Sequence, residues 1–313
     1  MSKEKYIKMK QILLGFLLVF IFLGCNHSAD QNIINPKEET KIAVSHIYDI
    51  LFPSLDGLDI SAKVYKISDI APVILLCHQA GFNKFEHEGI AQKLNEQGFN
   101  CVAIDQRSGG PIANRVNETT VRALKAGKSI DYLEFVYKVR LLRYCSKYKS
   151  SNTLVFCGLD LSQTLNSNFL DQTLGFIARH YLDAEQDIKA AIHYVTNKYH
   201  KNLILWGSSY SSTLALYLAV ESDQEKAVLT FSPGNYFAEE KGSLIDKLAI
   251  FKKPMFVTSS KREAPEITQL LSKMTLNDNQ VHFIPRGNGH HGSRVLWEQQ
   301  IDGVEYWNAV NSF

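Results

Sequence analysis

The chain has 313 residues, 34 Lys and Arg against 32 Asp and Glu, a formal charge of +2, and 45% hydrophobic residues. Mixed-sign charge so close to balance leaves no basic footprint for nucleic acid, and the length is enough to bury a substantial core. The five cysteines, at 25, 77, 101, 145 and 157, form neither a C-x-x-C pair nor a compact His/Cys cluster, so the sequence gives no argument for a structural metal.

Lys3, Lys5, Lys8 and Lys10 precede an apolar run from Ile12 to Leu23, which ends at Gly24-Cys25. That order reads as an export signal over 1–24. The run is shorter than the roughly 20 residues needed to cross a bilayer. Phe22-Leu23-Gly24-Cys25 resembles a bacterial lipobox with Phe22 in place of the usual Leu. The resemblance implies lipidation at Cys25, attachment to a membrane through that lipid, and a place in the bacterial cell envelope; an uncleaved single-pass anchor and plain secretion are the alternatives. Residues 1–24 carry four Lys and one Glu, so their removal takes the formal charge from +2 to −1. Residues 25–44 then read as a polar tether and 45–313 as one folded domain.

Within that domain, His46 to Phe52 and Leu58 to Ile67 read as a hairpin about Asp56-Gly57. Pro72 to Cys77 is nearly all apolar, the pattern of a strand covered on both faces. A helix is predicted from Lys84 to Gln97 with Gly98 as its stop, then a buried strand from Asn100 to Ile104. The alternation breaks across 119–182, an insertion that reads as a lid over the pocket or packing on an outer face. Cys145 and Cys157 lie in it and read as two separate thiols, a disulfide being the alternative; Cys77 and Cys101 read as packed thiols. Regular alternation resumes with a helix from Asp183 to Tyr199, strand Leu203 to Trp206, and a helix from Thr213 to Val220. Strands at Ala227 to Phe231, Met255 to Ser259 and Val281 to Ile284 follow, with helices over 264–275 and after Ser293. This order predicts an α/β fold with a mostly parallel sheet, helices on both faces, and functional groups at the carboxyl ends of the strands.

One of those ends carries Gly207-Ser208-Ser209-Tyr210-Ser211, a G-x-S-x-S sequence between a strand and a helix. A sharp turn there can lift Ser209 above the sheet as a nucleophile. Together with Leu76-Cys77-His78-Gln79-Ala80-Gly81, Ile104-Asp105-Gln106-Arg107-Ser108-Gly109-Gly110, Ser260-Lys261-Arg262-Glu263 and Gly289-His290-His291-Gly292, the ordered set resembles the α/β-hydrolase superfamily. Within it, the set is closer to bacterial serine hydrolases of the dienelactone-hydrolase-like branch than to lipases with a G-x-S-x-G elbow. Ser211 departs from the usual fifth glycine of that elbow.

The resemblance implies Ser209 as nucleophile, Glu263 as the acid that orients a histidine, and His291 as the base, with His290 the alternative base or a pocket neighbour. Glu266 and Asp278 are substitutes for the acid. The backbone N–H groups of Gln79 and Tyr210 match the oxyanion donors of the family. His78 reads as a structural hydrogen-bonding residue, and Arg107 as a brace between loops or a substrate contact. These roles imply acyl transfer from a small ester or lactone to water through an acyl-enzyme, with no cofactor and no metal. Peptide or amide hydrolysis is the alternative chemistry, and a catalytically weak, lipid-anchored binding protein the alternative class.

Overall fold

The computed structural model describes residues 45–112, 114–128, 155–156, 159–160, 180–200 and 202–313. An eight-stranded sheet runs β1 (His46–Pro53), β2 (Asp59–Lys66), β4 (Asn100–Ile104), β3 (Val73–Cys77), β7 (Leu203–Ser208), β8 (Glu225–Phe231), β9 (Met255–Thr258), β10 (Gln280–Phe283). β1, β2 and β4 pair antiparallel, and from β4 to β10 every pair is parallel. A separate two-stranded ladder joins β5 (Val155–Phe156) to β6 (Leu159–Asp160).

The helices are α1 (Glu88–Glu96), α2 (Glu118–Lys125), α3 (Glu185–Tyr199), α4 (Tyr210–Glu221), α5 (Ala238–Lys241), α6 (Leu244–Leu248), α7 (Ala264–Leu270) and α8 (Gly303–Ser312). Two apolar layers sandwich the sheet. Leu75, Cys77, Leu203 and Leu205 face one layer with Ile188 and Ile192 of α3 and Leu214 of α4. Ile74, Leu76 and Trp206 face the other with Ile90 and Leu94 of α1 and Trp307 of α8. This is the period-two alternation of strands covered twice, which is why β3 and β4 are buried at every position. Each such Leu or Ile contributes about 1.5–3 kcal/mol by leaving water.

The hairpin turn forms where Asp56-Gly57 suggests it: Gly57 takes φ 79°, and the Asp56 side chain accepts the Leu58 N–H at 3.2 Å. The segment expected as a helix from Lys84 to Gln97 opens as a 3-10 turn, Lys84–His87, before α1 begins. Helix α4 starts three residues earlier than expected, because Tyr210, Ser211 and Ser212 are buried in its first turn. The short helices α5 and α6 have too little periodic sequence to be read; Ser243 caps α6 by accepting the Asp246 N–H. Helix α2 begins at the edge of the 119–182 insertion, with Asn117 accepting the Thr120 N–H at 2.8 Å. Most of the insertion, including Cys145, Cys157 and the lid expected there, lies outside the described residues.

The expectation of membrane attachment requires correction. Among the described residues no helix is long and apolar enough to cross a membrane, and the described core turns its apolar faces onto its own sheet. The lipid-anchored, cell-envelope reading drawn from residues 1–25, including lipidation at Cys25, is therefore not upheld; residues 1–44 lie outside the described residues.

Arg107 is a brace. Its guanidinium donates to Asp187 at 2.7 Å and to Asp56 at 2.9 and 3.0 Å. Its backbone N–H also donates to Asp187 at 2.8 Å. Ser54 donates its hydroxyl to the same Asp187 carboxylate, so the turn after β4 is tied to α3 and to the β1–β2 hairpin. Arg107 is 2% exposed and Asp187 is fully buried. Removing Asp187 leaves the buried guanidinium with Asp56 alone and takes away the acceptor of Ser54 and of the Arg107 N–H, so Asp187→Ala is expected to lower stability by on the order of 3 kcal/mol in a urea or guanidinium unfolding titration.

Candidate active site

Parallel register brings the relevant strand ends into one line. Cys77 pairs with Gly207, Ser208 with Phe231, Phe231 with Thr258, and Thr258 with Phe283. The loops that leave these ends carry His78 and Gln79, Ser209, Ser232, Glu263, and His290 and His291 respectively.

At the elbow Ser209 has φ 59° and ψ −123°, outside the regions a side-chain-bearing residue prefers. Its N–H donates to the Phe231 carbonyl at 2.7 Å, which ties the turn to β8. Gly207 is required by closeness: a Cβ there would lie 2.5 Å from the Ser212 Cα. Ser211 explains how the elbow dispenses with its usual glycine. Its hydroxyl accepts the Ser208 N–H at 2.9 Å and faces the carbonyls of Cys77 and Ser208, each at 2.9 Å, so it stitches the turn to β3.

His291 Nε2 lies 2.7 Å from Ser209 Oγ, and its Nδ1 lies 2.6 Å from Glu263 Oε1. Burial raises the Glu263 pKa, but the His291 hydrogen bond and charge outweigh it, with Ser260 and Ser232 adding to them, and hold the carboxyl at about 2. An ionised carboxylate only accepts hydrogen bonds, so Nδ1 carries the proton and Nε2 is left to accept from the Ser209 hydroxyl. The second oxygen of Glu263 is fixed by Ser232 Oγ at 2.9 Å and Ser260 Oγ at 2.8 Å. Ser232 Oγ also accepts the Gly292 N–H at 3.0 Å, joining the acid to the histidine loop.

The other residues expected at the site occupy different places. His290 Nδ1 accepts from Arg294 Nε at 3.0 Å. His78 is buried beneath the loops: Nε2 accepts the Gln106 N–H at 2.9 Å, which leaves Nδ1 to donate to the Gln79 carbonyl at 2.8 Å. Burial pushes its pKa down to about 4, so the ring is neutral at ordinary pH. The Tyr210 N–H opens α4, where the first turn has no intrahelical acceptors. Its side chain points inward, stacked 4.6 Å from Tyr181, with the hydroxyl 2.6 Å from Ser108 Oγ. The Gln79 N–H, expected to face an oxyanion, donates instead to Glu86 Oε2 at 2.7 Å. Among the described residues no group of three or more His, Cys, Asp or Glu is placed to hold a metal ion.

Sequence reasoning missed Glu86, Ser208, Ser232 and Ser260. Ser232 and Ser260 stand just past the ends of β8 and β9, and that position was the available signal. Glu86 gives none, because in Asn83-Lys84-Phe85-Glu86-His87 it is one polar residue among others at the start of the helix expected from Lys84 to Gln97.

No protein-family model and no curated protein matches the chain. Solved structures do share its fold. An esterase of Pyrococcus furiosus is 14% identical, aligned over 86% of this chain and 91% of that one, with a TM-score of 0.53. A dienelactone hydrolase from Anabaena variabilis is 14% identical over 86% and 96%, with a TM-score of 0.50. An acylaminoacyl peptidase of Pyrococcus horikoshii is 13% identical over 87% of this chain and 42% of that one, with a TM-score of 0.53. With the sheet order and parallel register described above, these place the chain in the α/β-hydrolase-superfamily fold. At such identities the likeness establishes the fold alone.

Burial pushes the Glu86 carboxyl up to about 7, only partly offset by its bonds from Ser208 and the Gln79 N–H. A raised acid is ionised more readily in the unfolded chain, so its stabilising effect is full below the ordinary carboxylate range and falls as pH rises toward 7. The buried histidines, His78 among them, act with the opposite sign, so the contribution of Glu86 is read as a difference: in thermal unfolding the stability of the wild type relative to Glu86→Gln, which cannot ionise, should fall by on the order of 3 kcal/mol as pH rises from the carboxylate range to 7.

Proposed function

We propose that the protein is a serine hydrolase that cleaves small carboxylic esters or lactones through an acyl-enzyme, in the manner of the dienelactone-hydrolase-like branch. The observation that carries this reading is the hydrogen-bonded series Ser209, His291, Glu263, with contacts of 2.7 and 2.6 Å. The fold supports it, since esterases share it.

In this mechanism His291 takes the Ser209 proton on Nε2 as Oγ attacks the carbonyl carbon, and Glu263 stabilises the imidazolium while holding the ring in place. The carbonyl oxygen gains negative charge, and the Tyr210 N–H at the start of α4 is positioned by its backbone to receive it. The Gln79 N–H is engaged by Glu86 Oε2 and takes no part in this step. His291 then returns its proton to the leaving oxygen, and the acyl group remains on Ser209. Water, deprotonated by the same His291, attacks that ester, releases the acid and restores the serine.

Fluorophosphonate labelling of the purified protein, followed by peptide mapping, tests the assignment. The expected adduct is on Ser209 and is absent from Ser209→Ala. With an activated ester, His291→Ala should reduce kcat by on the order of 10⁶-fold and Glu263→Gln by on the order of 10⁴-fold. A folded wild-type protein that neither labels at Ser209 nor turns over esters, lactones or peptides would refute the mechanism.

A further inference from the structure

One buried carboxylate links the loops that build this site. Glu86 lies in the 3-10 turn before α1 and is 0% exposed. Its Oε2 accepts the Gln79 N–H at 2.7 Å, from the loop after β3. Its Oε1 accepts the hydroxyl of Ser208 at 2.7 Å, next to the nucleophile. Ser208 Oγ in turn accepts the N–H of Ser293 at 2.8 Å, two residues beyond His291. Trp297 Nε1 closes the circuit by donating to the Glu86 carbonyl at 2.8 Å. The junction has no slack: a Cβ on Gly292 would lie 2.7 Å from both Ser208 Oγ and Gln79 Oε1.

We infer that Glu86 is a positioning residue whose carboxylate holds the Gln79 loop, the nucleophile elbow and the histidine loop in a single register, and so sets the contact between Ser209 and His291. The inference deepens the serine-hydrolase reading and rests on it. None of the hydrogen bonds of Glu86 reaches Ser209 or His291, so it acts through Ser208 and Ser293. The charges that act on it come from Arg294 and His291. A carboxylate suits the junction because both groups that meet it are donors. An amide of the same shape satisfies the same two neighbours, with its oxygen accepting from Gln79 and its NH2 donating to Ser208 Oγ. Alanine leaves two buried donors without an acceptor.

The test compares the full-length wild type with Glu86→Gln, Glu86→Ala and a packing control, Leu94→Ala, which empties a buried site in α1 away from the circuit. Steady-state hydrolysis of p-nitrophenyl acetate is measured below the melting temperature of each variant, and crystal structures of the wild type and Glu86→Ala are compared. Glu86→Ala should lose on the order of 10²-fold in kcat with KM within about threefold. Glu86→Gln should recover to within about tenfold of wild type, and Leu94→Ala should keep the wild-type kcat. In the Glu86→Ala crystal, the Ser209 Oγ to His291 Nε2 separation should lengthen from 2.7 Å beyond hydrogen-bond reach. Unchanged kcat, an unmoved contact, or an equal loss in Leu94→Ala would each overturn the inference. If Glu86→Ala does not fold, Ser208→Ala breaks the circuit one bond further on and is read by the same criteria. A wild type that leaves the ester intact defeats the serine-hydrolase reading, whereas loops that stay in place without the Glu86 carboxylate defeat the positioning role.

Discussion

The site depends on the backbone at Ser209 staying at a φ of 59°. A side-chain-bearing residue held outside its preferred regions costs on the order of 1–3 kcal/mol, and persists only where the surroundings over-determine it. Here the determination comes from both sides of the turn. The Phe231 carbonyl accepts the Ser209 N–H, and Ser212 Oγ bonds to the Phe231 backbone at 2.8 and 3.0 Å. On the other side, Ser211 reaches the end of β3. β7 is the strand between β3 and β8, so the strained turn is clamped by the two neighbours that the parallel register supplies.

The two carboxylates near this turn show how environment separates like groups. Glu263 is partly buried and faces His291, and its carboxyl sits at about 2. Glu86 is enclosed, its partners are a neutral hydroxyl and an amide, and its carboxyl sits at about 7. The first is ionised at neutral pH and can stabilise positive charge on the imidazole; the second changes charge within the neutral range. This is the pattern by which one pocket holds groups of different protonation state.

How much of this was legible in the sequence follows from what each feature needs. The fully buried strands Val73–Cys77 and Asn100–Ile104 announce themselves as apolar runs, and the alternation of strands and helices indicates the sheet. The elbow residues were legible because a small residue, a serine and a second small residue at fixed spacing have a backbone reason to occur together. Glu86 was not, because its meaning lies in 0% exposure within a polar stretch whose neighbours Asn83, Lys84 and His87 are buried too. A pattern argument assigns such residues to the surface; only the closing of three separate loops over them reverses that. The same holds for the Gln79 N–H, whose direction is set by a carboxylate seven residues away and by no property of Gln79. The membrane reading failed differently, since it came from residues 1–25 and not from any element of the described fold.

Ser211 has a consequence for anyone who would redesign this protein by comparison with its structural relatives. Its position in the elbow is one where glycine is common, and a statistical profile would score the serine as a blemish to be repaired. In this molecule the hydroxyl makes a connection between adjacent strands, so the repair would delete a tether from the strained turn at Ser209. The deviation is part of a different local solution, in which a side chain joins the turn to the strand beside it.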